Sequence, residues 1–241
     1  MSRSTAPSPP SAQASYHHGD LRRTLIEAAL DVIATSGPAH LSLRALARAA
    51  GVSHAAPAHH FGDKSGVFTA IATEGFELLY ESQLRTSEGM DPGQTLFPLA
   101  VNYVMFAIEH PSHYEVMWRE DLYDPDDSAL VAARQRVFEV FYQSVAAGTG
   151  ELEPRQFGGA VAAAWSMVHG FATLWLSGNL TALLETDPLA ASDEVARGLV
   201  AIAKVTERQL QQGQRAPKHK RSQPSEPGDR PRQDAELAPP A

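Results

Sequence analysis

The stretch LSLRALARAAGVSHAAPAHHF, residues 41–61, restricts what this chain can fold into more than any other. Leu43, Leu46, Ala47 and Ala50 recur at helical spacing behind Ser42, a residue suited to cap a first turn. Gly51 stops that helix after about two turns, where a left-handed turn residue is needed. Ser53 can cap another short helix reaching His60 or Phe61, and Val52 is the apolar plug of the corner between them. Pro57 and Phe61, four residues apart, share a face and turn to the core. His54, Ala55, Ala58 and His59 are then left facing outward. Helices this short are unstable alone, so the corner must pack on further helices. Pro57 costs little if it falls in the first helical turn, but it disfavours a helical Ala56, so this helix starts late or bends at its start.

The surrounding pattern is helical throughout, without strand-like alternation. Leu21, Leu25, Ala28, Val32 and Ile33 form the apolar side of a preceding helix, with Asp20 placed to cap it and Gly37-Pro38 to end it. Lys64-Ser65 opens a longer helix carrying Val67, Phe68, Ile71, Phe76, Leu78 and Leu79. Five more helices are expected: about 93–109, one beginning near Pro111, about 128–147, about 154–177, and about 192–211. The last carries Val195, Leu199, Ile202, Thr206 and Leu210 along one stripe. The fold class is therefore all-α: three small helices, a connecting helix, then a helical bundle. Domain boundaries are expected at 1–15 (N-terminal tail), 16–64 (three-helix unit), 65–212 (bundle) and 213–241 (C-terminal tail). Both tails are rich in Pro, Ser, Gln and charge and hold too little apolar surface to offset ordering entropy, so both are expected to be disordered.

Several chemistries are excluded or disfavoured. With no cysteine there is no disulfide, thiolate metal site or thiol nucleophile. Absence of cysteine suits a reducing cytoplasm, and residues 1–15 lack an apolar stretch of the secretory kind. His59-His60 and His17-His18 are adjacent pairs, and adjacent residues point to different helix faces, so neither pair suits one metal ion. No nucleophile elbow, phosphate loop or paired-carboxylate signature points to an enzyme, and no cofactor is implied. The acidic run REDLYDPDDS, 119–128, reads as a solvated connection. FGGAVAAAWSMVHGFATLWL, 157–176, approaches membrane-spanning length, but Ser166, His169, Thr173 and three glycines interrupt it. It is expected to be buried in a core and a subunit interface, with no membrane partner.

The net charge of −8 at first opposes nucleic-acid binding. Its distribution does not. Residues 16–64 hold five Arg/Lys against four Asp/Glu, whereas residues 65–212 hold eight against twenty. Local charge decides phosphate binding. Two short helices around a tight corner form the helix-turn-helix pattern, in which the second helix enters the major groove and its early residues meet base edges.

YHHGDLRRTLIEAALDVIATSGPAHLSLRALARAAGVSHAAPAHHFGDKSGVFTAI, from residue 16 to about 80, resembles the N-terminal domain of TetR-family transcriptional regulators. The match rests on GDLRRTLIEAAL, on LSLRALARAAGVS and on Phe61 followed by Lys64. The resemblance implies a homodimer that binds a palindromic operator in double-stranded DNA, most often as a repressor released by a small-molecule effector. It implies DNA contact at Ser42 and Arg44 and, around the reading helix, at Ser53, His54, Ala55 and Ala56. Ala58, His59 and His60 match a run that usually holds aromatic or imidazole groups, and Lys64 matches a phosphate-pairing lysine. Ala58 departs from the family, which very often carries tyrosine there. That substitution keeps open an alternative reading as a helical protein-interaction module with weakened DNA binding. AWSMVHGFATLWLSG, 164–178, is similar to a Trp-x-x-x-His-Gly motif of one C-terminal subgroup, implying dimerisation and effector binding there.

An effector site would lie inside the bundle, as ligand sites of helical proteins do. Candidate residues are Phe97, Val101, Met105, Met117, Trp118, Phe138, Tyr142, Trp165, His169 and Trp175. Aromatic and methionine side chains at such spacing serve equally as core. Trp165 and His169 are best paired, because positions i and i+4 share a face.

Overall fold

Leu25, Ile26, Ala29 and Ile33 are buried along one side of the first helix, α1 (His18–Ser36), for the reason their spacing suggests. The helix already includes Asp20, so that residue lies in the first turn rather than capping it. A 3-10 turn, Pro38–His40, follows. Ser42 then caps α2 (Leu43–Ala49), its hydroxyl accepting from the Ala45 amide at 3.1 Å. The corner closes through Val52 N–H to Ala47 O, 3.0 Å, with Gly51 at φ +67°.

The next helix, α3 (Ala56–Phe61), corrects the expected start at Ser53. Ser53 does not cap it; its carbonyl instead accepts from Ala56 N–H in a turn. The proline sets this boundary. Pro57 occupies the second helical position, where no intrahelical donor is required, and it is buried.

Asp63 caps α4 (Lys64–Ser87) through Gly66 N–H at 2.9 Å. A 3-10 turn at Pro92–Gln94, held by Asp91 Oδ1 on Gly93 N–H, precedes α5 (Leu96–Glu109). The expected single helix from about 93 is therefore two pieces. Helix α6 (Pro111–Met117) starts at the proline, and α7 (Ser128–Thr149) is capped by Asp127 on two amides. Helix α8 spans Pro154–Leu176.

The computed structural model describes residues 18–180 together with 184, 187, 188, 190 and 191, and these fall in one compact unit. Among them every regular element is helical. The expected helix at 192–211 and both tails lie outside the described residues. Helix α4 packs against α5, α6 and α7 and also against α1 and α3. One hydrophobic cluster accordingly runs from Leu25, Leu46 and Phe68 to Phe76, Met117 and Leu130. Residues 64–65 are thus a join within continuous packing, not a gap.

Helix α8 is only partly covered within its own chain. It is long and apolar enough to cross a membrane, with mean hydropathy 1.2, yet only 11% of that window is buried. Phe171 and Ala172 are buried, while Met167, Leu174 and Leu176 are exposed, as are Gly158, Gly159, Ala162, Ala163 and Ser166. One face is anchored to α5 and α7; the rest has no partner among the described residues.

Candidate nucleic-acid interface and effector site

Packing of Pro57 and Phe61 against the core fixes the rotation of α3. Ser53, His54, Ala55, Ala58 and His59 are consequently exposed, and Ala56 and His60 are half-buried at the margins of that face. Ser42 and Arg44 are exposed at the N-terminal end of α2. The rings of His59 and His60 meet at 69° with centroids 5.5 Å apart, and the Phe61 ring lies 6.3 Å from His60. Arg22 of α1 lies over the Phe61 ring at 5.4 Å, adding a cation near the end of α3. Lys64 donates from Nζ to Ala39 O at 3.3 Å and covers Phe68 at 5.5 Å. These two contacts hold the lysine side chain beside the helix pair and limit its freedom. The sequence pointed to Lys64, but nothing in it pointed to Ala39 as its support. Arg22 was also missed; it lies 39 positions before Phe61, and only the fold brings them together.

The second concentration of functional groups is a ring cluster where α5, α6, α7 and α8 meet. Trp165 and His169, one turn apart on α8, both reach it. Trp118, at the end of α6, stands 5.4 Å from each of them, and Phe138 of α7 is 5.2 Å from Trp165. Tyr142 stacks on Phe138 at 5.9 Å and is 42% exposed, forming the outer edge. Five candidates from the sequence therefore come together.

The other five do not join the rings. Met117 is fully buried against α4, where an added Cβ on Gly75 would lie 2.6 Å from Met117 Sδ. Trp175 stacks on Phe171 instead. Phe97 is 49% exposed, and Val101 and Met105 are half-buried on the same stripe of α5. From α5 it is Tyr103 that reaches the rings, on the buried stripe with Leu99 and Phe106, since residues two apart sit about 160° around the helix from each other.

Two tyrosines that the sequence reading passed over complete the cluster. Tyr103 Oη is 2.9 Å from His169 Nδ1, and Tyr114 Oη is 3.0 Å from the same nitrogen. Tyr114 Oη also lies within reach of His169 O, 3.3 Å, and Thr173 Oγ1, 3.2 Å. Burial raises the pKa of both phenols and lowers that of His169, so all three groups are neutral at pH 7. Trp118 Nε1 is buried with no hydrogen-bond partner among the described residues. The site is aromatic and uncharged.

A separate groove of about 590 Å³ opens between the helix-turn-helix and the bundle, lined in part by Arg22, His60, Asp63, Glu74, Glu77 and Asp127. Its carboxylates are engaged in structure. Asp63 and Asp127 cap helices, Glu74 Oε1 faces His113 Nε2 at 3.5 Å, and Glu77 faces Arg136 at 3.5 Å. No group of three or more metal-ligating side chains occurs among the described residues.

Comparison with known proteins follows the same division. Residues 25–71 match the family described as bacterial regulatory proteins, tetR family, and residues 96–213 match the tetracyclin repressor-like C-terminal domain. Among curated proteins none matches. A protein of unknown function from Rhodococcus sp. RHA1 is 33% identical, over 77% of this chain and 98% of that one, with a TM-score of 0.60. The TetR-family transcriptional regulator PfmR from Thermus thermophilus shares the fold at 22% identity, 62% and 84% coverage and a TM-score of 0.53. A tetR-family regulatory protein from Rhodococcus RHA1 does so at 18% identity, 73% and 93% coverage and a TM-score of 0.59. With a helix-turn-helix head and a helical C-terminal domain each matched in its place, the chain belongs to the TetR family of DNA-binding transcriptional regulators.

Proposed function

We propose that this protein is a ligand-responsive repressor that binds a palindromic operator as a homodimer and leaves it when a small-molecule effector occupies the ring cluster. It would act in the cytoplasm, as a regulator rather than an enzyme. The observation that carries the reading is the rotation of α3: with Pro57 and Phe61 on the core, His54, Ala55, Ala58 and His59 form one exposed face. Ser53 and Ala56 flank that face, Ser42 and Arg44 supply contacts from α2, and His60 and Lys64 meet phosphates beside it. The exposed small and apolar residues of α8 suit close approach of a second copy of the chain.

Effector release is supported by the position of α6. Ser112 Oγ donates to Leu30 O of α1 at 3.2 Å, and Met117 packs closely on Gly75 of α4. Tyr114 on that short helix and Trp118 at its C-terminal cap belong to the ring cluster. A ligand that displaces these rings thus moves a helix in contact with the reading head. Release follows only if the ligand binds the two states with different affinity. The Trp165-x-x-x-His169-Gly170 sequence fits the C-terminal subgroup because its Trp and His both line the cluster. The test is operator binding by the full chain with duplex from upstream of its own gene, with random duplex as control. Selective binding by a dimer supports the reading; equal affinity for both duplexes rejects it.

A further inference from the structure

Each exposed side chain on the α3 face ends in a methyl, an imidazole or a hydroxyl. Ser53, His54, Ala55, Ala58 and His59 are exposed, and none of them is Arg, Lys, Asn, Gln, Asp or Glu. Those absent types read bases through charged or bidentate hydrogen bonds: Arg and Lys on guanine, Asn and Gln on adenine, Asp and Glu on cytosine. The nearest arginines before this face in the sequence, Arg44 and Arg48, belong to α2, and the Lys64 ammonium donates to Ala39 O. A single imidazole N–H can donate to a purine N7, but adenine and guanine both present that atom. His54 and His59 used in this way separate purine from pyrimidine and not one purine from the other. The Ser53 hydroxyl is equally permissive.

The rest of the face is apolar. Ala55 caps α3 with helical dihedrals, φ −81° and ψ −21°. Ala58 lies three residues on, and His59 N–H bonds to Ala55 O at 3.0 Å. The Ala55 and Ala58 methyls are therefore neighbours on one exposed side, about 5–6 Å apart. Pro57 is buried and Phe61 packs on the core, so α3 cannot rotate to hide them. At both positions the side chain is one methyl, which lets the helix come close to base edges. The apolar group that a base pair displays in the major groove is the C5-methyl of thymine.

We propose that Ala55 and Ala58 determine operator specificity by packing their methyls against thymine C5-methyl groups, so that each half-site carries thymine where α3 enters the groove. A cytosine at such a position lacks the methyl and turns an amino group towards an alanine that cannot accept from it. Ala58, the departure from the family's usual tyrosine, then changes what is recognised. The inference rests on the reading of α3 as the helix that enters the major groove.

The experiment starts with selection of bound sequences by the full-length protein from a random duplex library. The selected duplex is then titrated with each thymine replaced in turn by deoxyuridine, which removes the C5-methyl and leaves the base pair and O4 in place. At least one thymine in each half-site should respond, its replacement weakening binding about fourfold, the effect of one buried methyl-sized group. The same replacement in random duplex should change affinity by less than about twofold, since that binding is to the backbone. Ala55→Gly removes one methyl at a cap position where glycine is at least as well tolerated as alanine, so the fold is kept. This variant should abolish the response at one thymine per half-site, and Ala58→Gly at another. Selected half-sites without thymine, or no response to deoxyuridine at any position, would overturn the proposal while sequence-selective binding stands. A response that persists in both variants would also overturn it, placing methyl recognition elsewhere. Failure to select any sequence would overturn it together with the reading of α3 on which it rests.

Discussion

The hydroxyl of Ser112 on α6 donates to the carbonyl of Leu30 on α1 across 3.2 Å and 82 positions of sequence. This bond ties the short helix beside the ring cluster to the helix that supports the reading head. Ser112→Ala should weaken the effector's ability to release operator while leaving operator affinity without effector within about fivefold of wild type, because one neutral hydrogen bond contributes about 1 kcal/mol. Operator anisotropy with and without effector measures both quantities.

Lys64→Ala should weaken binding to operator and random duplex alike. The logarithmic salt slope should flatten by about 1, the loss of one phosphate contact. The same variant loses the bond to Ala39 O, so a thermal melt should accompany the titration. Unchanged slope and affinity would remove Lys64 from the interface.

Gly51→Ala should destabilise the fold by about 1 kcal/mol. The cause is conformational, because φ is +67° and nothing lies within 4 Å of an added Cβ. Gly75→Ala should also destabilise, by about 1–3 kcal/mol, for the opposite reason: backbone geometry is ordinary, but the new methyl meets Met117 Sδ at 2.6 Å and Cγ at 2.9 Å. Urea denaturation of both variants, of Met117→Ala and of Gly75→Ala combined with Met117→Ala distinguishes them; if the fault is steric, Gly75→Ala should cost less in the Met117→Ala background than in the wild type.

These two glycines also show what was legible beforehand. Gly51 follows a short apolar repeat and precedes Val52 and Ser53, so its turn could be read locally. Gly75 sits inside a continuous helix, and its partner lies 42 positions on in α6, where no local pattern could reveal it. The start of α3 was half legible: Pro57 signalled a late or bent start, but Ser53 matched a capping residue so well that the boundary fell two residues before the observed cap at Ala55. In α5 both stripes are apolar, so periodicity could not choose between Phe97, Val101 and Met105 and the stripe that carries Tyr103. Tyr114 was hidden in a helix of only two turns, too short to show a face. How much of α8 its own chain covers was illegible for another reason: an apolar helix looks the same whether its cover comes from its own chain or from a second one.

Acid should weaken the fold in two steps. Glu74 is held below the ordinary carboxylate range, first by the facing His113 imidazole, against opposing burial. A depressed carboxylate stabilises above its unfolded pKa and loses that contribution as pH falls through the folded one. His169 is depressed by burial, so its neutral form belongs to the folded state. The unfolded chain binds that proton first, and the His169 contribution is complete above pH 6.5 and is lost as pH falls below it. Urea midpoints from about pH 8 to about pH 3 should decline through both windows. His169→Gln should shrink the upper one, which His110 shares because burial lowers its pKa too, and Glu74→Gln should flatten the lower one.

The central claim is that the face presented by α3 reads a particular DNA sequence. Fluorescence anisotropy of duplex from upstream of the protein's own gene, titrated with the full chain at several salt concentrations against random duplex, tests it most directly. The account predicts binding to the cognate duplex about a thousandfold or more tighter than to the random one. It also predicts a steep loss of affinity with salt and saturation at an even number of chains per duplex. Absence of binding at low salt, or equal affinity for the two duplexes, would contradict it and leave a helical interaction protein in which Ala58 stands where a DNA contact is missing.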